Sequence, residues 1–358
     1  MTETEDLPLP RHRGRRKTAG LLLRWLESNR KTLKRLVILT HDHPDPDALS
    51  SAWALAYLAK KLARAQARIV YGGAIGRREN RMMWQSLGIP ASPVRPADLE
   101  APAIALIDTQ PPFKNNRFPP RRKPSLIVDH HPLSPHTRAG LTLVDEGAGA
   151  TATILTEAFQ QAGIPVPIRL ATALVYGIGA ETQNLGREAG PRDAAAYTAL
   201  LPSASLKALW RITNPPKPAS LFRTIARAIR HAFMVRNVIG VHLRELSSPD
   251  SVAQMADFLL SHEGMQWSLV TGRYGGRLFV SLRTTSLSEH SGRILRRVLG
   301  GKHRGGGHRM MAGGSLRFGP EAPESDWREA EERIVDAFLA SRDIRSTAPR
   351  RYPFRDIA

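Results

Sequence analysis

Six side chains able to bind a hard divalent cation sit at the ends of three short apolar runs. His41, Asp45 and Asp47 follow Leu36-Val37-Ile38-Leu39, inside the stretch His41-Asp42-His43-Pro44-Asp45-Pro46-Asp47. Asp108 closes Ala103-Ile104-Ala105-Leu106-Ile107, and Asp129 and His130 close Leu126-Ile127-Val128, with His131 next. One histidine or aspartate after a strand is usually a cap or a turn residue; the combination carries the signal. Imidazole nitrogen with carboxylate oxygen suits manganese or magnesium and, less selectively, iron or zinc. Two such ions ~3.5–4 Å apart and sharing a carboxylate can activate water and stabilise the oxygen displaced at phosphorus.

The elements that must position these residues follow from the apolar pattern. The three runs have the length of buried strands, and they alternate with segments of helical composition. A strong alanine- and leucine-rich helix is expected from Asp47 to Ala67 and another around Asn80–Leu87. A third opens after Gly147 and Gly149 and stops near Gly163, and a fourth runs from Ile168 toward Gly177-Ile178-Gly179-Ala180-Glu181. Residues 111–124 read as a proline- and arginine-rich loop. This alternation predicts an α/β fold, a parallel sheet flanked by helices. Ligands distant in sequence then converge, because sites in such sheets form just outside the carboxyl ends of the strands.

The prolines of Asn214-Pro215-Pro216-Lys217-Pro218 break this pattern. Beyond them the reading is a helix from Ser220 to about Val235, a strand Val238–Leu243 and a helix over Ser251–Ser261. Strands Trp267–Thr271 and Arg277–Arg283 flank a hairpin turn at Tyr274-Gly275-Gly276. A helix from Ser291 to Leu299 then enters the glycine-rich span Gly300–Gly314, and one more helix follows Pro320. The organisation expected is a basic arm (1–18), a large domain (19–213), a linker with a helix (214–236), a smaller α/β domain with a mixed sheet (237–342) and a basic tail (343–358).

The 358 residues include no cysteine, which excludes disulfides, thiolate metal sites and cysteine nucleophiles. The formal net charge of +20 favours a polyanionic partner, nucleic acid or nucleotides, over neutral ones. The alternative is that arginine only decorates the surface. Leu21-Leu22-Leu23 after the basic stretch Arg11–Lys17 is interrupted by Arg24, so no secretory leader is read. No membrane partner and a cytoplasmic location are expected.

With these residues in view the chain resembles the DHH phosphoesterase superfamily, through His41-x-x-x-Asp45-x-Asp47-Ala48, Asp108-Thr109 and Asp129-His130-His131. Gly305-Gly306-Gly307-His308, followed by Ala312-Gly313-Gly314, resembles the accessory domain of the DHHA1 subgroup. The resemblance implies hydrolysis of phosphoester or phosphoanhydride bonds with two divalent ions, manganese first and magnesium as the alternative. It implies one ion held by His41, Asp45 and Asp108. The other would be held by Asp47, Asp108, His130 and a carboxylate from a fourth motif, with Asp108 bridging. Asp129 would orient a histidine, and His131 would sit near the scissile phosphate as a stabiliser or proton donor.

Two departures stand out. The fourth motif of the family has aspartate before threonine, and this chain has Glu181-Thr182. Glu181 is expected to take the aspartate's place with altered geometry; the other reading is that it is displaced and the second ion is weakly held. Ser50 stands where many relatives have glycine. For substrate binding the resemblance implies Gly305, Gly306, Gly307 and His308, with Arg283 holding the nucleotide end across a cleft. The activity implied is that of a nanoRNase-like phosphodiesterase or exonuclease on short single-stranded oligonucleotides or dinucleotides, extending to 3′-phosphoadenosine 5′-phosphate. The alternatives are a cyclic-dinucleotide phosphodiesterase and a nucleic-acid-binding protein with an impaired active site. A homodimer is a further expectation from the resemblance, while RNA against DNA stays open.

Overall fold

A computed structural model describes residues 17–186, 189–301, 304–307, 309–345 and 347–355. His308, Lys302 and His303, and the basic arm before residue 17, lie outside the described residues. The chain divides into two compact units, one up to Pro215 and one from Pro216 onward.

In chain order the first unit contains α1 (Lys17–Ser28), β1 (Arg35–Leu39), α2 (Pro46–Ala63), β2 (Gln66–Tyr71), α3 (Arg78–Leu87) and β3 (Ala91–Pro93). It continues with β4 (Ala103–Ile107), β5 (Leu126–Asp129), β6 (Leu141–Val144), α4 (Thr151–Ala162), α5 (Ile168–Glu181), α6 (Pro191–Leu200) and α7 (Leu206–Thr213). The six strands form one sheet in the order β3-β2-β1-β4-β5-β6, and every neighbouring pair is parallel. The order reverses direction between β1 and β4, the kind of switch point at which open α/β sheets bind ligands.

Alternation along each strand divides the core. Leu36 and Ile38 of β1, Ala105 and Ile107 of β4, and Leu126 and Val128 of β5 pack into the cluster that includes α2, α4 and α5. Val37, Leu39, Ile104, Leu106 and Ile127 face the other way, onto Phe118, Val94 and Leu99. The irregular segment after β4 therefore takes the place a crossover helix usually has, and Phe118 gives it a buried anchor. Helix α2 starts one residue before the expected Asp47 because Asp45 caps it, accepting from the Ala48 N–H at 2.9 Å, and Pro46 occupies the first turn. It ends early, at Ala63, where Arg64 turns left-handed. The short β3 and β6, and helices α6 and α7, are additions to the sequence reading.

The second unit contains α8 (Ala219–His231), β7 (Phe233–Val235), β8 (Val238–Glu245), α9 (Asp250–Leu260), β9 (Trp267–Tyr274) and β10 (Arg277–Thr284). After these come α10 (Ser291–Val298), β11 (Gly305–Gly307), β12 (Met311–Arg317) and α11 (Glu324–Ala340). Its sheet, ordered β11-β12-β10-β9-β8-β7, is mixed: β8 and β9 are parallel and the other pairs antiparallel. The expected helix to Val235 stops at His231, and Phe233-Met234-Val235 instead pair with β8. Three adjacent buried apolar residues suit a strand between two layers better than one face of a helix. Gly275 and Gly276 both have positive φ, 56° and 70°, as a two-residue hairpin turn requires. Among the described residues no helix is long and apolar enough to cross a membrane.

Candidate metal centre

The loops after β1, β4 and β5 bring the expected ligands of the first unit together. His41 Nε2 lies 3.6 Å from Asp45 Oδ2 and 3.6 Å from Asp108 Oδ2. His130 Nε2 lies 3.5 Å from Asp108 Oδ1, 3.9 Å from Asp47 Oδ2 and 4.0 Å from Glu181 Oε1. These separations are too long for good hydrogen bonds. They are close to the spacing of donors around a shared ion, because two ligands each about 2.1 Å from one centre stand roughly 3.0–3.5 Å apart. The ligand atoms form two groups, His41-Asp45-Asp108 and Asp108-His130-His131, each with all its atoms within 4.8 Å of one another, and Asp108 belongs to both.

The donor set fits a cation on two further observations. His130 Nε2 is buried with no hydrogen-bond partner among the described residues, although three carboxylates surround it. Burial pushes this imidazole's pKa down, so it is neutral and can offer a lone pair. The carboxylates are also crowded. Burial first, then the charges of Asp108 and Glu181, raises the Asp47 carboxyl well above the usual range. Burial, then Asp45 and Asp108, pushes Glu181 up to about 8. A cation would relieve that repulsion. Around His41 the balance differs: burial opposes the charge, but the neighbouring carboxylates of Asp45, then Asp108, hold the ring up to about 10. Its Nδ1 faces the Asp42 carbonyl at 2.9 Å, so Nε2 is the atom turned to the carboxylates.

Two of the carboxylates are held from behind. The Asp47 carboxylate accepts the N–H groups of Thr151 and Ala152, both at 2.7 Å, at the start of α4, and the Ser51 hydroxyl at 3.2 Å. Thr151 Oγ1 also donates to Asp108 Oδ1 at 2.9 Å, so one helix end fixes two carboxylates. Asp193 anchors that end in turn, accepting from Gly149 N at 2.9 Å and Thr153 Oγ1 at 2.6 Å. Glu181 is the last residue of α5. One turn earlier Gly177 crosses α2, and a Cβ there would collide with Ser50 Oγ. The serine that departs from the family pattern therefore faces a glycine on the neighbouring helix.

His131 is held differently. Its Nδ1 donates to Asp129 Oδ1 at 2.8 Å, and this bond, with the charges of Asp108 and Asp129, overcomes burial and raises the ring to about 10. Sequence reasoning missed the next link. Gln110 is fully buried; its Nε2 donates to Asp129 Oδ2 at 2.7 Å, and its Oε1 accepts from Ser134 N at 2.9 Å and Thr137 Oγ1 at 2.7 Å. Its place two residues after Asp108 was the only signal, because nothing local distinguishes a structural glutamine from a solvated one.

The expected substrate residues lie in the second unit. Arg283 is buried, with Nε on Asp257 Oδ1 at 2.5 Å and Nη1 on the carbonyls of Leu282 and Ala312 at 3.2 Å. It lines a cavity of about 250 Å³ together with Ser281, Gly307, Met311, Gly313 and Gly314. Gly305–Gly307 form an edge strand paired with β12. Gly307, at φ 141°, packs against the Met311 carbonyl so closely that no side chain fits, whereas Gly306 faces open space.

Residues 35–178 match the family model described as the DHH family, N-terminal domain, and residues 236–338 match the DHHA1 domain. The chain is 35% identical over 313 residues to uncharacterized protein MJ1633 of Methanocaldococcus jannaschii, covering 86% of this chain and 63% of that protein. It is 28% identical over 152 residues to a probable manganese-dependent inorganic pyrophosphatase of Lactobacillus helveticus, covering 42% of this chain and 48% of the other. It thus spans less than two thirds of the length of either relative. An exopolyphosphatase-related protein from Bacteroides fragilis shares the fold, with a TM-score of 0.70 at 15% identity, over 91% of this chain and 97% of that one.

Proposed function

The chain belongs to the DHH family, with a DHHA1 domain after its N-terminal domain, and from that membership we propose that it is a metal-dependent phosphodiesterase or exonuclease hydrolysing short oligonucleotides or dinucleotides. The observation that carries this reading is Asp108, whose two oxygens face His41 Nε2 and His130 Nε2 at 3.6 and 3.5 Å and which both ligand groups share. His41, Asp45 and Asp108 would hold one divalent ion, and Asp47, Asp108, His130 and Glu181 the other. Manganese is the preferred ion, with magnesium as the alternative, on the chemistry of the donors and the manganese-dependent relative. Such ions polarise water and neutralise charge developing at phosphorus.

The remaining residues orient and move protons. Asp129 fixes the tautomer and tilt of His131, and Gln110 fixes Asp129. With Nδ1 committed, the other ring nitrogen of His131 is the group able to donate to a leaving oxygen. Arg283, the glycines of β11 and the net charge of +20 support a nucleotide substrate. We read the glycines as backbone contacts and Arg283 as a contact at the nucleotide end.

A substrate panel tests the reading. Purified protein with manganese is offered di- to pentanucleotides, cyclic dinucleotides, 3′-phosphoadenosine 5′-phosphate and pyrophosphate. Release of nucleoside monophosphates from the short linear strands is expected, and 3′-phosphoadenosine 5′-phosphate is the one further substrate expected to turn over. Turnover confined to pyrophosphate, or to cyclic dinucleotides, contradicts the proposed substrate class. No turnover at all, with salt-sensitive binding of single strands retained, favours the binding-protein alternative.

A further inference from the structure

We propose that the second unit carries a separate site for the phosphodiester backbone of single-stranded nucleic acid, formed by Arg277, Arg304, Arg317 and Arg333. These four arginines, with Ser315 and Phe318, line one cavity of about 380 Å³. Arg277 and Arg317 stand directly opposite each other in the β10–β12 pairing. Like charges in that position destabilise a sheet by mutual repulsion unless something offsets them.

No carboxylate offsets them here. Among the described residues none of the four forms an ion pair. Arg277 donates only to the Ser315 hydroxyl at 2.8 Å, and Arg304 only to the Leu299 carbonyl at 3.4 Å. Asp336, three residues beyond Arg333 on α11, pairs with Arg350 at 3.5 Å instead. Some arginines of this unit are neutralised, Arg273 by Glu331 and Glu324, Arg283 by Asp257, and Arg342 by Glu289; many others are not, and what sets these four apart is that they line one cavity. Four guanidinium groups converging on one cavity with no carboxylate among its lining residues mark a place where an external anion completes the charge balance.

The surroundings favour a nucleic-acid strand as that anion. β11 pairs with Ala312–Gly314 and the Ser315 N–H bonds the Arg304 carbonyl at 2.9 Å, so among the described residues Leu316 and Arg317 of β12 lie past the paired stretch. Phe318, half-buried and packed at a 35° tilt against Trp327 with ring centroids 4.6 Å apart, gives the cavity an aromatic wall of the kind that accepts a sugar or base. The site is not the Arg283 cavity. Arg277 pairs with Arg317 at one end of β10 and Arg283 with Met311 at the other, roughly 20 Å along the strand at ~3.4 Å per residue.

The competing explanation is that edge arginines only discourage sheet-to-sheet association. Binding of a labelled single-stranded 12-mer, followed by fluorescence anisotropy on the full chain in chelator over a range of salt, separates the two. The proposal expects Arg277→Gln/Arg317→Gln to bind the 12-mer at least tenfold more weakly. The slope of log K against log[salt] should become shallower by about 1.4, for two phosphates lost. The double variant should melt no lower than the parent, since repulsion is removed. With manganese, its hydrolysis of a dinucleotide should stay within twofold.

Unchanged affinity and slope in the folded variant overturns the proposal, including the case in which the variant merely self-associates. Inorganic polyphosphate competing as well as an unlabelled 12-mer of equal phosphate number overturns the nucleic-acid assignment. The inference rests on the hydrolase reading only for the identity of the anion, and the two fail separately. Arginine-dependent binding without hydrolysis by the parent protein removes the hydrolase reading alone; hydrolysis with arginine-independent binding removes this one alone.

Discussion

Asp108 holds its backbone at φ 58°, a left-handed conformation that a non-glycine residue adopts only when its surroundings demand it. The demand is visible in its carboxylate, which meets two histidines and the Thr151 hydroxyl. His41, Asp45, Asp47, Asp108 and His130 could be picked out as candidates because each comes soon after an apolar strand, whereas Glu181, at the end of α5, was reached only through the resemblance. Gln110, Thr151 and Asp193 were not, since their buried partners come from segments remote in sequence. Gln110 acts through Asp129 and His131, so Gln110→Leu should lower kcat about 10- to 100-fold, leave KM near its original value and alter the basic limb of the pH–rate profile. A purely structural glutamine would lower stability without moving that limb. Glu181 gives a pH dependence. In the metal-free protein its carboxyl is raised from 4.5 to about 8, so its contribution to stability is fully present below 4.5 and is lost as pH rises through 8. Thermal melts in chelator should therefore fall across that window. Manganese affinity should rise over the same window, because the ion displaces the proton. A flat pair of curves, or a Glu181→Gln variant with the same slopes, would contradict this.

At the scale of elements, strand–helix alternation was readable because β1, β4 and β5 are short apolar runs with polar ends. The boundary between α8 and β7 was not, since Phe233-Met234-Val235 continues the apolar content of the helix before it and only tertiary pairing makes it a strand. Gly300–Gly314, read as a glycine-rich span, holds β11 and the start of β12, because glycines that a packed neighbour requires look the same in sequence as glycines in a loop. The α2–α5 crossing at Gly177 sets where Glu181 sits. Gly177→Ala should push these helices apart and cost about 1–3 kcal/mol, the usual size of overpacking. It should also weaken manganese binding more than Gly306→Ala, whose Cβ meets open space. Equal effects of the two substitutions, read by thermal melts and metal titration, would remove the crossing as the device that positions Glu181.

For the whole molecule, two units share a net charge of +20. The proline break near Asn214 stands where the first compact unit gives way to the second, whereas the pairing of each arginine left no mark in the sequence, because charge partners are set by three-dimensional packing. A polyanion-directed charge of this size predicts that kcat/KM for a pentanucleotide falls more steeply with salt than for a small generic phosphodiester. Parallel salt curves for the two would assign the arginines to the surface alone. The claim beneath all of this is that one chain gathers two divalent ions around a common carboxylate. Manganese titration followed by electron paramagnetic resonance on the metal-stripped protein measures it without reference to turnover. Two ions per chain with the signal of a magnetically coupled pair are expected, and Asp108→Ala should abolish the coupling while circular dichroism stays that of a folded protein. A single uncoupled ion in the parent protein, or an unchanged coupled pair in Asp108→Ala, would contradict the account.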